Sequence, residues 1–195
     1  MNENEDKSCL ARLFTSARSR NDWREEQVPD ETWRLLYDLL KMGPTSANVS
    51  PARFVFCTSD DAKARVARHM SATNAAKSIK APAIVIIAHD LQFADRIPEL
   101  FPHNPGARFW FDDEQVREET AFRNGTLQGA YLMMAARALG FDCGPMSGFD
   151  KTTLDADFFA EGTLRSNFLC AIGRGIDEPF ERLPRLAFED ACSIL

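Results

Sequence analysis

The feature that most constrains the fold is one long helical pattern in the second half of the chain. The segment DEQVREETAFRNGTLQGAYLMMAARALG, residues 113–140, keeps a helical period and becomes apolar nearly all round after Leu127, until Gly140 ends it. A helix that is apolar on every side has to be surrounded by protein, because its surface gains nothing from contact with water. We therefore expect a central helix on which the other elements pack.

Short apolar segments predict the strands that accompany this helix. ARFVFCT (52–58) and APAIVIIAHD (81–90) are nearly continuous in apolar residues, as strands buried on both faces are, and SNFLCAIGRG (166–175) predicts a last strand. The segment PDETWRLLYDLLKMG predicts a one-sided helix with Asp30 as its N-cap and Gly43 as its end. Helices and strands alternate without an internal repeat, which predicts one domain over residues 1–195.

Composition narrows the class of protein further. A chain of 195 residues with 45% hydrophobic content can bury the core of one domain. A net charge of -6 and a pI of about 5.1 argue against nucleic acid or an anionic membrane as a partner. No segment reaches the ~20 apolar residues of a membrane span or has the organisation of a signal peptide. We expect a cytoplasmic protein with a small-molecule substrate.

Cysteine and histidine patterns give no metal or disulfide framework. The five cysteines are widely spaced, without any Cys-x-x-Cys, which predicts reduced thiols. The three histidines are equally scattered, so we expect no metal site.

The polar C-terminal segment from Ile176 onward contains scattered apolar residues, which predicts docking onto a surface rather than disorder.

Several catalytic motifs can be tested and rejected. GPMSG, residues 144–148, superficially resembles a nucleophile elbow, but that turn requires G-x-S-x-G and Ser147 falls one place late. No G-x-G-x-x-G follows a strand, and no G-x-x-x-x-G-K-[ST] is present. A nicotinamide cofactor would therefore have to bind without either of those scaffolds.

The loop MGPTSANVSPARFV, residues 42–55, holds more polar groups than a turn needs. Its polar and proline residues are Pro44, Thr45, Ser46, Asn48, Ser50 and Pro51. Local capping of backbone groups would account for Pro44 and one or two of the polar side chains. The whole string favours a loop that presents hydrogen-bonding groups to a ligand.

Cations and amides recur at three separated places. ARSRNDW contains Arg18, Ser19 and Arg20; TNAAK contains Asn74 and Lys77; RLPRLAF contains Arg182 and Arg185. Each group alone is typical of a solvated surface. Together they match what a flavin mononucleotide requires, which is cations and hydroxyls at the phosphate and donors around the ring.

The strings PTSANVSP, NAAK, PMSGFD and the late arginine, in this order, resemble the FMN-dependent nitroreductase family, whose typical forms read P-S-S-x-N-x-Q-P-W, N-x-x-K and P-x-x-G-F-D. The resemblance covers nearly the whole chain, from Arg18 to Arg185. It implies an α+β fold in which a central mixed sheet is flanked by helices, with a long central helix and extended arms exchanged in a homodimer.

The resemblance also assigns the cofactor site residue by residue. It places FMN at the subunit interface. The residues that it matches to cofactor contacts are Arg18, Ser19 and Arg185 at the phosphate, Arg20 beside them, Asn74 and Lys77 at the pyrimidine end, Pro145, Met146, Ser147 and Gly148 past the N5 edge, and Pro44, Thr45, Ser46 and Asn48 from the other subunit. No catalytic residue is assigned. Two departures from the family pattern are Asn21, where a Lys or Arg is frequent, and Ala52 followed by Arg53, where a Trp is frequent.

The implied activity is hydride transfer from NADPH or NADH, through FMN, to a small-molecule oxidant. GPTSAN, SPAR, EETAFRN, GPMSGFD and RLPRL are most similar to the branch of the family that reduces malonic semialdehyde to 3-hydroxypropionate in pyrimidine degradation. Arg53 and Arg123 are the candidates for binding the carboxylate of that substrate. The alternatives are a broad nitroreductase or quinone reductase and a non-enzymatic flavin-binding protein.

Overall fold

The computed structural model describes residues 3–176 and 181–195 and shows a four-stranded sheet with helices on both of its faces. The strands are β1 (Ala52–Cys57), β2 (Ala83–Asp90), β3 (Asp142–Met146) and β4 (Leu164–Gly173). The helices are α1 (Glu3–Leu10), α2 (Asp30–Leu40), α3 (Asp60–Ala67), α4 (Ala72–Ser78), α5 (Ile97–Leu100), α6 (Glu114–Ala138), α7 (Lys151–Phe158) and α8 (Phe188–Ala191). Residues 177–180 of the predicted C-terminal segment lie outside the described residues, as do residues 1 and 2.

Strand β2 lies inside the sheet, whose order is β1-β2-β4-β3, and it is buried from Ala83 to His89. Its side chains alternate between two apolar clusters, as the period of two in a strand requires. Val85 and Ile87 pack in the cluster that contains α2 and α6, whereas Ile84 and Ile86 pack in the cluster that contains α3 and α7. The predicted strand buried on both faces is therefore confirmed.

The predicted central helix is α6, which packs against α2 over one face of the sheet. It begins after Asp113, whose side chain accepts a hydrogen bond from Val116 N, and ends before Gly140, which has a positive φ of 85°. The sequence predicted that protein would surround α6 on every side, and within this subunit that prediction is only partly met. Phe122 and Leu127 of α6 remain half exposed, at 50% and 41%.

Three details of the fold differ from the sequence predictions. Pro29, not Asp30, occupies the N-cap position of α2, and Asp30 lies in the first turn, where a carboxylate favours the positive end of the helix dipole. Strand β3 was not predicted, because Gly144 and Pro145 disfavour a strand; Pro145 is tolerated since β3 lies at the sheet edge. The sheet was predicted to be mixed, but its three ladders are antiparallel, and the parallel pairing among the described residues is the isolated bridge between Ser19 and Cys143.

The C-terminal segment, which was predicted to dock onto a surface, leaves its described residues exposed within its own subunit. All residues from 181 to 195 are exposed, including Leu183 at 76% and Leu186 at 75%. The main anchor of the segment is Arg182, which donates from Nη2 to Ala17 O at 2.6 Å and Thr15 O at 2.9 Å.

Among the described residues, no helix has the length and apolar content that crossing a membrane requires.

On the opposite sheet face from α6, an ion network joins α3 to α7. Arg65 donates from Nε and Nη2 to the Asp157 carboxylate at 2.9 to 3.1 Å, and His69 Nε2 lies 2.9 Å from Asp157 Oδ2. These two partners, Arg65 first, lower the pKa of Asp157 to about 2. The folded state therefore keeps this carboxylate charged at a pH where the unfolded chain protonates it.

This pKa predicts how stability changes with pH. Because the folded pKa lies below the ordinary value, the stabilisation is fully present above about pH 4 and is lost as the pH falls toward about 2. Asp157→Asn should lower the free energy of unfolding at pH 7, and its difference from the unaltered protein should shrink below pH 4. Thermal unfolding at a series of pH values measures this, with exposed Glu161→Gln as the control. A difference that stays constant down to pH 2 would contradict it.

Candidate functional site

The edge strand β3 organises the candidate site, because the N-terminal segment runs along it. Ser19 pairs with Cys143, and Arg20 N donates to Cys143 O at 3.1 Å. A few residues further on, buried Trp23 donates from Nε1 to Lys77 O at 2.7 Å, which fixes the segment against α4. The residues predicted near the phosphate and those predicted near the ring thus lie along one edge of the sheet.

Gly144 makes this close approach possible. A Cβ at position 144 would lie 2.6 Å from Arg20 O and 3.1 Å from the Trp23 ring. Any side chain at this position would therefore push the segment 18–23 away from β3. The requirement for glycine lies in the close packing of two backbones and not in an unusual φ.

Gly144→Ala is expected to destabilise the protein by about 1 to 3 kcal/mol, the usual cost of overpacking a close contact. Denaturant unfolding measures the loss. Gly106→Ala is the matched control, because the nearest atom to its added Cβ would be an Asn104 oxygen at 3.6 Å, an ordinary contact. Equal stability of the two variants would show that the segment 18–23 is not held as described.

An arginine-rich cleft of about 740 Å³ lies at one end of this edge. It brings together the two ends of the chain, and its lining residues are Phe14, Ala17, Arg18, Ser19, Arg20, Asn21, Arg137, Glu181, Arg182, Leu183 and Arg185. Arg18 donates from Nη2 to Glu181 O at 3.1 Å, and Arg185 donates from Nη1 to Leu183 O at 2.8 Å. The predicted phosphate residues Arg18, Ser19, Arg20 and Arg185 are therefore brought together in one strongly cationic cleft.

At the other end of the edge, α4 meets the residues that follow β3. Asn74 donates from Nδ2 to Gly148 O at 3.1 Å, and Ser71 N donates to the same carbonyl at 3.0 Å. A Cβ on Gly148 would lie 2.5 Å from Asn74 Nδ2, so this contact requires a glycine at position 148. Met146 Sδ accepts a hydrogen bond from Ser78 Oγ at 3.3 Å.

The predicted ring-binding residues face solvent at this end. Lys77, Pro145 and Ser147 are exposed, and Asn74 is half-buried. Their exposure leaves this surface open to a ligand. The structure therefore places the PMSG and NAAK segments side by side.

The polar loop of residues 44–48 lies elsewhere in the same subunit. Its contacts are to α6 and α5: Tyr131 Oη donates to Pro44 O at 2.9 Å, Ser46 N donates to Asn124 Oδ1 at 2.9 Å, and Asn48 Nδ2 donates to Leu100 O at 2.8 Å. Thr45 Oγ1 accepts from Ser50 N at 3.2 Å. The loop leads into β1, which is separated from β3 by three strand spacings, or about 14 Å.

The loop is also strained. Ala47, Asn48 and Ser50 have φ values of 47°, 53° and 40°, in the left-handed region that disfavours residues with a side chain. Such strain persists where the surroundings enforce it, and it is frequent at functional sites. Within one subunit, this loop and the arginine-rich cleft are not brought together.

The sequence reasoning missed Arg137, Glu181 and Trp23. Arg137 lies in the last turn of α6 and lines the arginine-rich cleft. A basic residue in the last turn of a helix is so common that its position alone carries no functional signal. The structure was needed to show that the end of α6 reaches the cleft.

Two buried thiols, Cys57 and Cys170, are poorly suited to act as nucleophiles. Burial raises the pKa of Cys57 to about 11, and Cys170 has a raised pKa through its contact with Cys143 and its burial. In residues 3–176 and 181–195, no group of histidine, cysteine, aspartate and glutamate side chains could hold a metal ion. A thiolate nucleophile is therefore disfavoured at Cys57 and Cys170.

Comparison with known proteins decides the family. The family described as "Nitroreductase family" matches residues 16–174 of this chain. The chain belongs to the nitroreductase family. HadB of Ralstonia pickettii, named as a candidate NADH dehydrogenase/NAD(P)H nitroreductase, is 53% identical over 191 residues, covering 95% of this chain and 96% of HadB.

Solved structures show the same fold for this nitroreductase. A candidate nitroreductase from Exiguobacterium sibiricum 255-15, solved in complex with FMN, has a TM-score of 0.86 and 18% identity, covering 95% of this chain and 97% of that one. The enone reductase CLA-ER of gut-bacterial fatty acid saturation has a TM-score of 0.82 and 18% identity, covering 95% and 97%. The predicted nitroreductase-like α+β fold is confirmed. FMN and NAD(P)H, the predicted cofactors, are confirmed at the level of the family by that FMN complex and by the name of HadB.

The two arginines predicted to bind a substrate carboxylate both have acidic partners in this nitroreductase. Arg53 donates from Nη2 to Asp90 Oδ2 at 2.7 Å and from Nη1 to Ala52 O at 2.9 Å. Arg123 pairs with Glu119 one turn earlier on the exposed side of α6. Each guanidinium already has a carboxylate, which favours a structural role for both.

Proposed function

We propose that this nitroreductase is a homodimeric, FMN-dependent NAD(P)H oxidoreductase in which residues 1–195 form one flavin-binding domain. The observation that carries the proposal is the arginine-rich cleft, which collects Arg18, Ser19 and Arg185 from opposite ends of the chain. A phosphate is the group that several guanidinium donors and a hydroxyl recognise together. The donor set therefore fits the phosphate end of FMN.

The second part of the fit is the surface where α4 meets the end of β3. Exposed Lys77 would place a cation beside the pyrimidine end of the ring, where it would stabilise negative charge. The Asn74 amide, oriented by its bond to Gly148 O, and the exposed Ser147 hydroxyl offer hydrogen-bonding groups along the ring edge. When bound, FMN supplies hydride transfer between a nicotinamide and an oxidant, which this chain's side chains cannot perform.

The dimer is supported by apolar surface that one subunit leaves exposed. Leu35, Leu39 and Met42 follow one another at helical spacing along the outer side of α2 and beyond its end, and they are 49%, 43% and 76% exposed. Phe122 and Leu127 of α6 add to the exposed apolar surface. Contiguous apolar surface of this kind marks an interaction site, and a second copy of the chain would bury it.

The exchange of C-terminal arms is supported by two features of the same subunit. Within the described residues, β1 pairs with β2 only, so its outer edge is open, and a groove of about 1240 Å³ is lined by β1 and α2 residues. Residues 181–195 are exposed and carry apolar side chains. An exchanged arm would cover both the open edge and the arm's own apolar residues. The same dimer would bring the loop of residues 44–48 to the other subunit's flavin.

Two oxidants remain as specific proposals. Malonic semialdehyde rests on the similarity of EETAFRN, GPMSGFD and the other strings to the enzymes of pyrimidine degradation, but its carboxylate would have to compete with Asp90 for Arg53 or with Glu119 for Arg123. A nitroaromatic or quinone is favoured by Phe109 and Trp110, which are 62% and 57% exposed. These two rings follow Ala107, which packs in one cluster with Val49 beside the polar loop. Aromatic rings next to the proposed flavin-contacting loop would stack on a planar oxidant.

The test of the oxidant is kcat/KM with NADPH for malonic semialdehyde, for an uncharged aldehyde of similar size and for a nitroaromatic. The structure favours faster turnover of the nitroaromatic, and no preference for the charged aldehyde over the uncharged one. A clear preference for malonic semialdehyde, lost in Arg53→Gln or Arg123→Gln, would establish carboxylate recognition and overturn the aromatic proposal. Arg96→Gln, at an exposed arginine paired with Glu99, is the control.

A further inference from the structure

Arg137 reaches the arginine-rich cleft from an element that carries none of the predicted cofactor residues. It lies in the last turn of α6, is half-buried, and lines the cleft together with Arg18, Arg182 and Arg185. The other arginines of the cleft come from the first 20 residues or from the C-terminal segment. Arg137 is therefore the cation that the rigid centre of the fold contributes.

Backbone carbonyls hold the Arg137 guanidinium in place. Its Nη1 donates to Leu13 O at 2.9 Å, while Thr15 O and Ala17 O accept from Arg182 at 2.9 and 2.6 Å. Carbonyls of one short segment, residues 13–17, thus hold two arginines that line the same cleft. A guanidinium that is already oriented loses little side-chain freedom when it binds an anion.

Arg137 retains donor capacity after that contact. A guanidinium has five N–H donors, and within the described residues the hydrogen bond from Nη1 to Leu13 O is the one that Arg137 makes. Its Nε is buried without a partner. The third guanidinium nitrogen, Nη2, therefore remains as a hydrogen-bond donor, and the Arg137 side chain lines the cleft.

Among the described residues, the lining of the cleft carries more cationic than anionic side chains, which favours an anionic ligand. This lining contains five arginines and one glutamate, Glu181. Arg20 of this lining pairs with Asp142 at 3.5 Å. Asn21 of the same lining adds no charge. A phosphate would neutralise the excess of guanidinium groups.

We propose that Arg137 is an additional phosphate-binding residue of this nitroreductase, donating from Nη2 to the phosphate of FMN. The inference rests on the proposed function, since it requires that the cleft holds the phosphate. It adds a ligand from the central helix to the arginines from the chain ends.

The experiment compares FMN with riboflavin, which lacks the phosphate. Dissociation constants of both are measured by fluorescence titration of flavin-free protein. Arg137→Gln should weaken FMN binding about 10- to 100-fold and leave riboflavin binding unchanged, because one charge-assisted hydrogen bond is lost. Arg137→Lys should restore part of the loss. Arg12→Gln is the matched control, since Arg12 Nη1 donates to Ala138 O at 3.3 Å at the same helix end, and Arg12 does not line the cleft.

Any other result contradicts either the inference about Arg137 or the proposed function. If Arg137→Gln weakens FMN and riboflavin equally, Arg137 only supports the fold, and if it weakens neither, Arg137 does not contact the phosphate. Either result overturns the inference while the proposed function stands. If the unaltered protein binds FMN no more tightly than riboflavin, the cleft is not a phosphate site, and the proposed function fails with the inference.

Discussion

Replacing Arg18 and Arg185 together with alanine is expected to weaken FMN binding by about 3 to 6 kcal/mol, because charge-assisted hydrogen bonds contribute about 1.5 to 3 kcal/mol each. The two arginines meet in the arginine-rich cleft from opposite ends of the chain. Titration calorimetry on flavin-free protein measures the loss. Riboflavin binding should change little, since the altered residues line the proposed phosphate site.

The control for this double variant is Arg165→Ala. Arg165 is an exposed arginine of β4 whose Nη1 donates to Gly162 O at 2.7 Å, and it does not line the cleft. The Arg165→Ala variant loses an arginine and its two backbone contacts, to Gly162 O and Leu164 O, without touching the proposed phosphate site. Full retention of FMN by the Arg18 and Arg185 double variant after dialysis would remove the main support for the flavin assignment.

Leu39→Glu is expected to convert the proposed dimer to monomers and to release the flavin. Leu39 lies on the outer face of α2 between Leu35 and Met42, so a second copy would bury it. Each buried leucine contributes about 1.5 to 3 kcal/mol, and a twofold interface counts the change twice, which gives about 3 to 6 kcal/mol. Light scattering with absorbance detection measures molecular mass and bound flavin together.

Lys41→Glu is the control for this prediction. Lys41 is exposed on a different side of the same helix end and pairs with Asp38, an exposed contact of small energetic weight. This variant should remain dimeric and yellow. A Leu39→Glu protein that stays dimeric would show that α2 lies outside the interface, and a monomer that retains FMN would show that the site needs one subunit only.

The sequence predicted the parts of the fold where local pattern and burial agree. The alternation of β2 between two apolar clusters, the length of α6 and the end of α2 before Gly43 all follow from side-chain period and helix-ending residues. Strand β3 escaped prediction because its five residues include Gly144 and Pro145. Its position is set by long-range pairing with β4 and by the segment 18–23, which no local pattern reveals.

The candidate site was predictable to the extent that motifs carry it. The motifs singled out the PMSG and NAAK segments, and the structure shows that the two meet through Asn74 and Gly148. Arg137 was not predictable, because its role depends on where the end of α6 lies relative to Leu13 and the C-terminal segment. The contribution of residues 44–48 to the flavin stays a prediction, since it depends on a second subunit.

The measurement that tests the central claim most directly is anaerobic reduction of the purified protein after reconstitution with FMN. We predict one tightly bound FMN per subunit, whose visible absorption is bleached by NADPH or NADH and restored when a nitroaromatic is added. Bleaching and recovery within the time of a single turnover would establish both half-reactions on this chain and exclude a storage role. A protein that binds no FMN, or whose bound FMN stays oxidised with excess NADPH and NADH, would contradict the account.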